Sequence, residues 1–157
     1  MEIDKLSKPK LKIASYCAYQ ERCQQEVIHK LYSYGLFRNQ VDEVLAWLIT
    51  ENYVNEERFA RTYAGGKFRI KQWGRFKIRQ ALKQKDISDY CIKIAMQEIK
   101  QDDYINTIQQ LGEKKLLEYS LKTSNPYYIK DKTAKFIIAK GYEPELVWEI
   151  LKKLELS

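Results

Sequence analysis

The chain has 157 residues, of which 45% are hydrophobic and 31% are charged, and its formal net charge is +7. This composition excludes a disordered chain and fits one domain or a short row of small helical units. Six glycines and three prolines are too few for the many turns of a β-sandwich or β-barrel. The N-terminal residues lack an apolar signal-peptide core and no apolar stretch approaches about 18 residues, so we expect a cytoplasmic protein without a membrane span.

The positive charge is concentrated in one segment. Residues 1–57 contain 7 basic and 9 acidic residues, and residues 86–157 contain 11 basic and 12 acidic residues. Residues 58–85, between them, contain 10 basic residues and no acidic one. A field this concentrated attracts a polyanion or an acidic protein surface, and the attraction weakens as salt is added.

An internal repeat predicts the fold. Three helix-stop candidates, at Gly35, Lys85-Asp86 and Gly141, are each followed by apolar residues spaced i, i+3, i+4, i+7, the spacing of a core-facing helix stripe. The stripes are Val41, Val44, Leu45 and Leu48; Ile92, Ala95, Met96 and Ile99; and Val147, Ile150, Leu151 and Leu154. Offsets of 51 and 55 residues superpose them without a gap. Because all amphipathic helices share this spacing, coincidence is the alternative.

The sequence therefore predicts an all-α protein of nine helices in three tandem three-helix repeats. The predicted units span residues 10–53, 54–100 and 101–157. Each unit would contact mainly its neighbours, so the molecule is expected to be elongated. Cap signals at Asn55 and Ser88 agree with helix starts at those positions.

Two features conflict with the helix expected from Asn55 to about Gln72. Gly65-Gly66 lies inside it, and two glycines cost about 2 kcal/mol relative to alanine. Either the helix bends there, or a neighbouring backbone or a partner comes close. Residues 68–71 also alternate between aromatic or aliphatic and basic side chains, which would suit a basic two-stranded ribbon around Gly74.

The helix is favoured over the ribbon because Phe59, Tyr63 and Ile70 keep helical spacing. These three side chains are predicted to lie on one face and to pack in the core.

Residue constellations typical of enzymes are absent from the sequence. His29 is the only histidine, and Gly65-Gly66 is not followed by the residues of a phosphate-binding loop. The three cysteines lack metal-ligand spacing and are expected to be reduced and buried. We therefore predict a protein that is not an enzyme and that has no cofactor and no metal site.

The segment 58–85 is the predicted binding region. A solvated helix face normally mixes acidic with basic residues, and this segment has no acidic residue. Cations on successive helical turns can follow phosphates, while interleaved aromatic rings either pack inside or stack on bases. The predicted partner-binding residues are Arg58, Arg61, Lys67, Arg69, Lys71, Arg75, Lys77 and Arg79. Phe59, Tyr63 and Trp73 are predicted to support the scaffold.

The middle of the chain resembles the RecX family of recombinase regulators. The resemblance rests on Glu57-Arg58-Phe59-Ala60, followed by Arg61, Tyr63, Lys67, Arg69 and Lys71 and then by Trp73-Gly74. The first unit is similar to the family's opening, with Ala14, Tyr16-Cys17-Ala18, Gln20-Glu21-Arg22, Glu26-Val27, Lys30-Leu31 and Gly35. Glu56 and Lys85-Asp86-Ile87 depart from the family pattern, so one helix must end without glycine.

The resemblance implies three tandem three-helix units in a curved, extended molecule, with Trp73 and Gly74 as part of the structural signature. It implies binding to the RecA nucleoprotein filament and suppression of its ATP turnover, strand exchange and cleavage of the SOS repressor. It also implies direct contact with single-stranded or duplex DNA. No long apolar heptad is present, so a monomer is expected.

Two other functions stay open from the sequence. A plain DNA-binding module would insert the helix predicted at 74–85 into a groove of naked DNA. A passive helical adaptor would bind its partner without salt dependence.

Overall fold

The computed structural model describes residues 5–155, which form nine α-helices and no strand. The helices are α1 (Ser7–Tyr19), α2 (Gln24–Ser33), α3 (Arg38–Thr50), α4 (Glu56–Arg69), α5 (Arg75–Gln84), α6 (Asp89–Met96), α7 (Gln101–Ser120), α8 (Pro126–Ala139) and α9 (Pro144–Glu155). Helices pack mainly within sequential triplets, here named unit 1 (α1–α3), unit 2 (α4–α6) and unit 3 (α7–α9). The predicted all-α fold of three-helix repeats is confirmed.

Local chemistry explains where the helices begin. The Asn55 side chain accepts a hydrogen bond from Arg58 N at 2.9 Å, and the Ser88 hydroxyl accepts one from Cys91 N at 3.2 Å. Each side chain satisfies a backbone donor that the first helical turn leaves unpaired. The two predicted caps are therefore confirmed.

The three predicted helix stops share one backbone conformation. Gly35, Asp86 and Gly141 have φ values of +83°, +60° and +104°. Asp86 thus adopts the left-handed conformation that glycine adopts in the other two units, at a cost that a glycine does not incur. The residues four positions earlier, Leu31 and its two equivalents, are fully buried, as the repeat predicts.

Two apolar clusters form the core among the described residues. One lies within unit 1 and contains Leu31 and Leu48, together with Val54 from the segment before α4. The other runs through units 2 and 3 without interruption, and Cys23 of unit 1 joins it. The chain exposes 10335 Å², whereas a compact monomer of its mass exposes about 8,300 Å², as expected for an extended array. The unit boundaries at 53/54 and 100/101 stay a prediction.

Units 2 and 3 meet at a close backbone crossing. Gly74 N donates to Lys140 O at 2.8 Å, and Phe76 N donates to Gly141 O at 3.0 Å. A Cβ atom at Gly74 would overlap the backbone of Gly141 and Tyr142. The glycine of the Trp-Gly pair is therefore required by this contact between two units.

Units 1 and 2 meet through polar groups. Gln24 N donates to Glu56 Oε1 at 3.0 Å, and Gln25 Nε2 donates to Asp86 Oδ2 at 3.2 Å. An ion pair joins Arg58 Nε to Glu21 Oε1 at 2.6 Å. This junction is more polar than the shared core of units 2 and 3.

The ribbon alternative around Gly74 is wrong. Helix α4 continues through Gly65-Gly66 to Arg69, and α5 begins at Arg75. The prediction that Ile70 packs in the core is also wrong, because α4 ends before it and its side chain is 79% exposed. Phe68 is buried instead. The helix predicted to run to about Gln72 is shorter than expected: α4 ends at Arg69, and Gln72 has a φ of +57°, outside the helical region.

Candidate partner-binding site

The fold brings acidic side chains to four of the ten cations in residues 58–85. Arg58, Arg61, Arg75 and Lys85 pair with Glu21, Glu57, Glu143 and Glu26, respectively. The fold therefore compensates part of the charge of a segment that contains no acidic residue of its own. Three of these carboxylates come from the flanking units, so the sequence segment alone does not contain them.

Arg58 belongs to the junction of units 1 and 2. Besides its ion pair with Glu21, its guanidinium donates to the backbone oxygens of Asn52 and Tyr53 at 3.0 and 3.3 Å. Several fixed hydrogen bonds hold the group in place. Arg58 therefore supports the scaffold, while its predicted contact with a partner stays a prediction.

Arg75 belongs to the junction of units 2 and 3. Its Nη1 lies 2.8 Å from Glu143 Oε2, and its guanidinium lies 3.9 Å from the centroid of the Tyr104 ring. The buried Tyr104 hydroxyl donates to Glu143 Oε1 and accepts a bond from Arg75 N. Burial and the bond to Glu143 raise the pKa of Tyr104 above its usual range. Arg75 therefore also supports the scaffold, and its predicted contact with a partner stays a prediction.

The outer stripe of α4 lines an open cleft of about 640 Å³, here named the arginine cleft. Its lining residues include Arg61, Arg69, Gly66 and the exposed Ile70. Guanidinium groups bind carboxylates and phosphates through paired, directional hydrogen bonds. The cleft thus combines three arginines, Arg58, Arg61 and Arg69, with two carboxylates, Glu57 and Glu98, and with the exposed aliphatic side chain of Ile70.

Gly66 leaves part of this cleft open. Apart from the neighbouring backbone of α4 itself, no described atom lies within 4 Å of the position that a Cβ would occupy there. At the buried Gly65, the three atoms nearest to such a Cβ all belong to the guanidinium of Arg69, the far end of a flexible side chain. The space beside Gly66 is compatible with the approach of a partner, one of the explanations that the sequence leaves for the pair.

Lys67 and Lys77 lie on another side of the molecule. Lys67 follows Arg58 by nine residues, or about two and a half turns of α4, so the two positions lie about 180° apart around the helix axis. The Nζ atoms of Lys67 and Lys77 lie 4.8 and 4.6 Å from the centroid of the Trp73 ring. Trp73 is half-buried and packs against the core of units 2 and 3. The predicted cations therefore occupy two surfaces, not one.

Lys71 and Arg79 complete the predicted set. Lys71 is exposed beyond the end of α4, and Arg79 is half-buried on α5. Neither has a carboxylate within ion-pair distance among residues 5–155. The predicted scaffold rings Phe59 and Tyr63 stack on each other with centroids 5.7 Å apart, Phe59 being buried and Tyr63 half-buried.

Sequence reasoning missed the cations of unit 3 that stand beside Lys77. Gly141 packs directly against Lys77, which brings the preceding Lys140 to the same place. The Nζ atoms of Lys115 and Lys140 lie 4.1 and 5.6 Å from the centroid of one ring, Phe136. A count of charge along the chain hides them because residues 101–157 contain 9 basic and 9 acidic residues and so have no net charge.

Other chemistry is not suggested by the described part of the chain. Its residues contain no cluster of three or more metal-binding side chains, and none of its helices has the length and apolarity to cross a membrane. Cys17, Cys23 and Cys91 are free, and the first two are buried. Burial raises the pKa of both buried thiols to about 11, so they stay protonated at neutral pH.

One protein-family model matches the middle of the chain. Residues 55–96 match the family model described as "RecX, second three-helix domain". Regulatory protein RecX of Clostridium perfringens (strain 13 / Type A) is 28% identical over 133 residues, which cover 85% of this chain and 62% of that protein. Regulatory protein RecX of Bacillus cytotoxicus is 26% identical over 152 residues, which cover 97% and 56%. The chain thus spans less than two thirds of the length of these relatives.

Solved structures share the fold over the whole chain. The crystal structure of RecX from Lactobacillus salivarius aligns with a TM-score of 0.87 at 23% identity and covers 98% of this chain and 99% of that one. A second crystal structure, of regulatory protein RecX, aligns with a TM-score of 0.79 at 21% identity and covers 98% and 81%.

Proposed function

The chain belongs to the RecX family, and on that basis we propose that it binds the RecA nucleoprotein filament and inhibits its recombinase, ATPase and coprotease activities in DNA repair and the SOS response. It would act as a cytoplasmic monomer, by binding and not by catalysis. An extended molecule can bridge successive filament subunits and bias them toward a conformation that does not complete the catalytic cycle.

The arginine cleft is the observation that carries the proposal. Protein interfaces commonly combine arginine with an apolar centre, and Arg61, Arg69 and Ile70 supply this combination. The open position at Gly66 lets a partner's backbone or side chain approach α4 closely. The partner proposed for this cleft is an acidic segment of the recombinase, since three arginines line it against two carboxylates.

The rival function, insertion of α5 into a groove of naked DNA, is less well supported. A recognition helix presents its N-terminal residues to base edges. Here the first turn of α5 is held against unit 3 through Gly74 and Phe76, and Arg75 pairs with Glu143. The backbone at the end of α5 that would enter a groove is therefore fixed against unit 3, and of its first side chains Arg75 is held in an ion pair while Phe76 is exposed.

The test uses substitutions that alter the cleft without altering the core. We expect Gly66→Leu and Arg69→Glu each to weaken inhibition of the DNA-dependent ATPase of RecA by about tenfold or more. Lys153→Glu is the matched control for charge, because Lys153 is exposed on α9, and it should inhibit like the wild type. Full inhibition by both cleft variants would refute the placement of the partner on α4.

A further inference from the structure

The two junctions between units are built from different kinds of contact. At the junction of units 2 and 3, backbone atoms bond to each other across the crossing of Gly74 and Gly141. The fully buried rings of Tyr104 and Tyr142 lie 4.9 Å apart in the core that these units share, and Phe68 of α4 packs against Tyr104. Because close-packed side chains and direct backbone bonds resist relative movement, units 2 and 3 form one rigid body.

Unit 1 contributes one buried side chain to the core of that body. Among the described residues, Cys23, which directly precedes α2, is the only member of unit 1 in the apolar cluster of units 2 and 3. The other buried apolar side chains of unit 1 form their own cluster, which Val54 of the linker joins. Relative motion of two units is expected unless their interface is large and hydrophobic. A single small side chain at the point of contact therefore makes a pivot and not a rigid seam.

Unit 2 supplies the cap for the first helix of this junction. Cys23 is the residue before α2, and its side chain accepts no capping hydrogen bond. Instead, Glu56 Oε1 of unit 2 accepts the bond from Gln24 N at 3.0 Å. Asp86 Oδ2 accepts a bond from Gln25 Nε2 at 3.2 Å. The start of α2 thus lies against two carboxylates of another unit, an arrangement that the helix dipole favours.

Two ion pairs complete the contact between units 1 and 2. Arg58 Nε lies 2.6 Å from Glu21 Oε1, and Lys85 Nζ lies 3.7 Å from Glu26 Oε1. Solvent reaches all four side chains, which are between 23% and 35% exposed. Salt screens ion pairs of this kind. The attraction between the two units should therefore weaken as salt is added.

The contact also leaves two carboxylate oxygens unsatisfied. Glu21 Oε2 and Glu56 Oε2 are buried and accept no hydrogen bond from the described residues. A buried polar atom without a partner costs free energy that hydration restores. An open cavity of about 320 Å³ lies between the units here, and its lining includes Glu21 and Glu26 of unit 1 and Phe59 and Tyr63 of unit 2. Separation of the units would hydrate the two oxygens, and the cavity gives space for movement.

We propose that the junction of units 1 and 2 is a salt-sensitive hinge, on which unit 1 swings about Cys23 relative to the rigid body of units 2 and 3. The ion pairs of Arg58 and Lys85 and the bonds at the start of α2 hold the hinge closed. Opening the hinge brings Glu21 and Glu56 into water. The motion lets one extended molecule present unit 1 at different angles, and it does not depend on which partner the chain binds.

The experiment measures distances between units in the full chain, without a partner, by double electron–electron resonance. Spin labels are attached to genetically encoded ketone side chains at three exposed positions: Asn39 in unit 1, Lys93 in unit 2 and Lys152 in unit 3. This chemistry leaves the three native cysteines unmodified. The pair of labels at 39 and 93 reports on the hinge, and the pair at 93 and 152 reports on the rigid body.

The hinge variant carries Glu21→Gln and Lys85→Gln, which remove both ion pairs between the units without changing the net charge. The matched control carries Asp131→Asn and Lys135→Gln, which remove an ion pair of 2.9 Å within α8 and also leave the net charge unchanged. Circular dichroism verifies that both variants keep the helix content of the wild type.

At about 50 mM salt the wild type and the control should show one main distance between the labels at 39 and 93. In the hinge variant, and in the wild type at about 500 mM salt, the fraction of molecules outside that main distance should rise about threefold or more. The distance between 93 and 152 should not change. The proposal is wrong if the distribution for 39 and 93 is as narrow in the hinge variant as in the control. It is also wrong if both distances broaden together, because the whole molecule would then be loosened.

Discussion

Gly74→Ala should be strongly destabilising, because Gly74 is where the backbones of units 2 and 3 touch. A Cβ at this position would overlap the main chain of Gly141 and Tyr142, which cannot move aside as a flexible side chain can. The two segments must therefore separate. Separation stretches the hydrogen bonds from Gly74 N and Phe76 N across the crossing.

The size of the effect follows from these contacts. Each hydrogen bond contributes about 0.5–1.5 kcal/mol, and forcing an extra methyl group into a packed contact costs about 1–3 kcal/mol. We therefore expect Gly74→Ala to lower the free energy of unfolding by about 2–6 kcal/mol, the upper figure applying if both bonds are lost. This is a large fraction of the stability of a domain.

Gly66→Ala is the matched control, since it makes the same chemical change in the neighbouring helix. Apart from the neighbouring backbone of α4, no described atom lies within 4 Å of the new methyl group, and alanine favours a helix over glycine by about 1 kcal/mol. Gly66→Ala should therefore raise the free energy of unfolding by about 0.5–1 kcal/mol. Urea unfolding followed by circular dichroism measures both variants. Equal stabilities for the two would refute the inference that Gly74 is a contact between units.

Three further predictions concern single groups. Asp86→Gly should raise the melting temperature and Asp86→Ala should lower it, because only glycine is unstrained at this positive φ. Each shift should correspond to about 1 kcal/mol of unfolding free energy. Equal melting temperatures for the alanine and glycine variants would contradict this. Burial, partly offset by the bond from Gln24 N, raises the pKa of Glu56. The protonated Glu56 side chain is therefore the form that favours folding, so this stabilisation is complete below about pH 4 and is lost as the pH rises through the raised pKa. Glu56→Gln should thus gain stability relative to the wild type between pH 4 and pH 7 in urea unfolding, and a constant difference across that range would count against it. Tyr104→Phe should cost about 1–3 kcal/mol of unfolding free energy, since it leaves buried polar partners unpaired; a loss below about 0.5 kcal/mol would show that the hydroxyl is not needed.

The sequence was sufficient for those features of the fold that depend on neighbours along the chain. Apolar spacing identified the core faces, and Leu31 and Leu82 are fully buried as expected. Caps such as Asn55 act within one helical turn, so a short stretch of sequence contains all the chemistry involved. Asp86 shows that position in the repeat, not glycine itself, marks the end of a helix.

The candidate site depends on contacts between distant residues, and these could not be predicted. Arg58 pairs with Glu21 across 37 positions, and Arg75 pairs with Glu143 across 68. A charge count along the chain has no access to such pairs, nor to the approach of Lys140 to Lys77. Ile70 was misplaced because helical spacing was extended one residue past the end of α4.

The most direct test of the account is to compare the affinity of the full chain for assembled RecA filament with its affinity for naked single-stranded and duplex DNA at 50 and 200 mM salt. The account predicts that the filament is bound most tightly at both concentrations, and that binding to naked DNA declines steeply with salt. Duplex bound as tightly as the filament would favour a plain DNA-binding module. Filament binding that does not change with salt would contradict the role of the cations in residues 58–85.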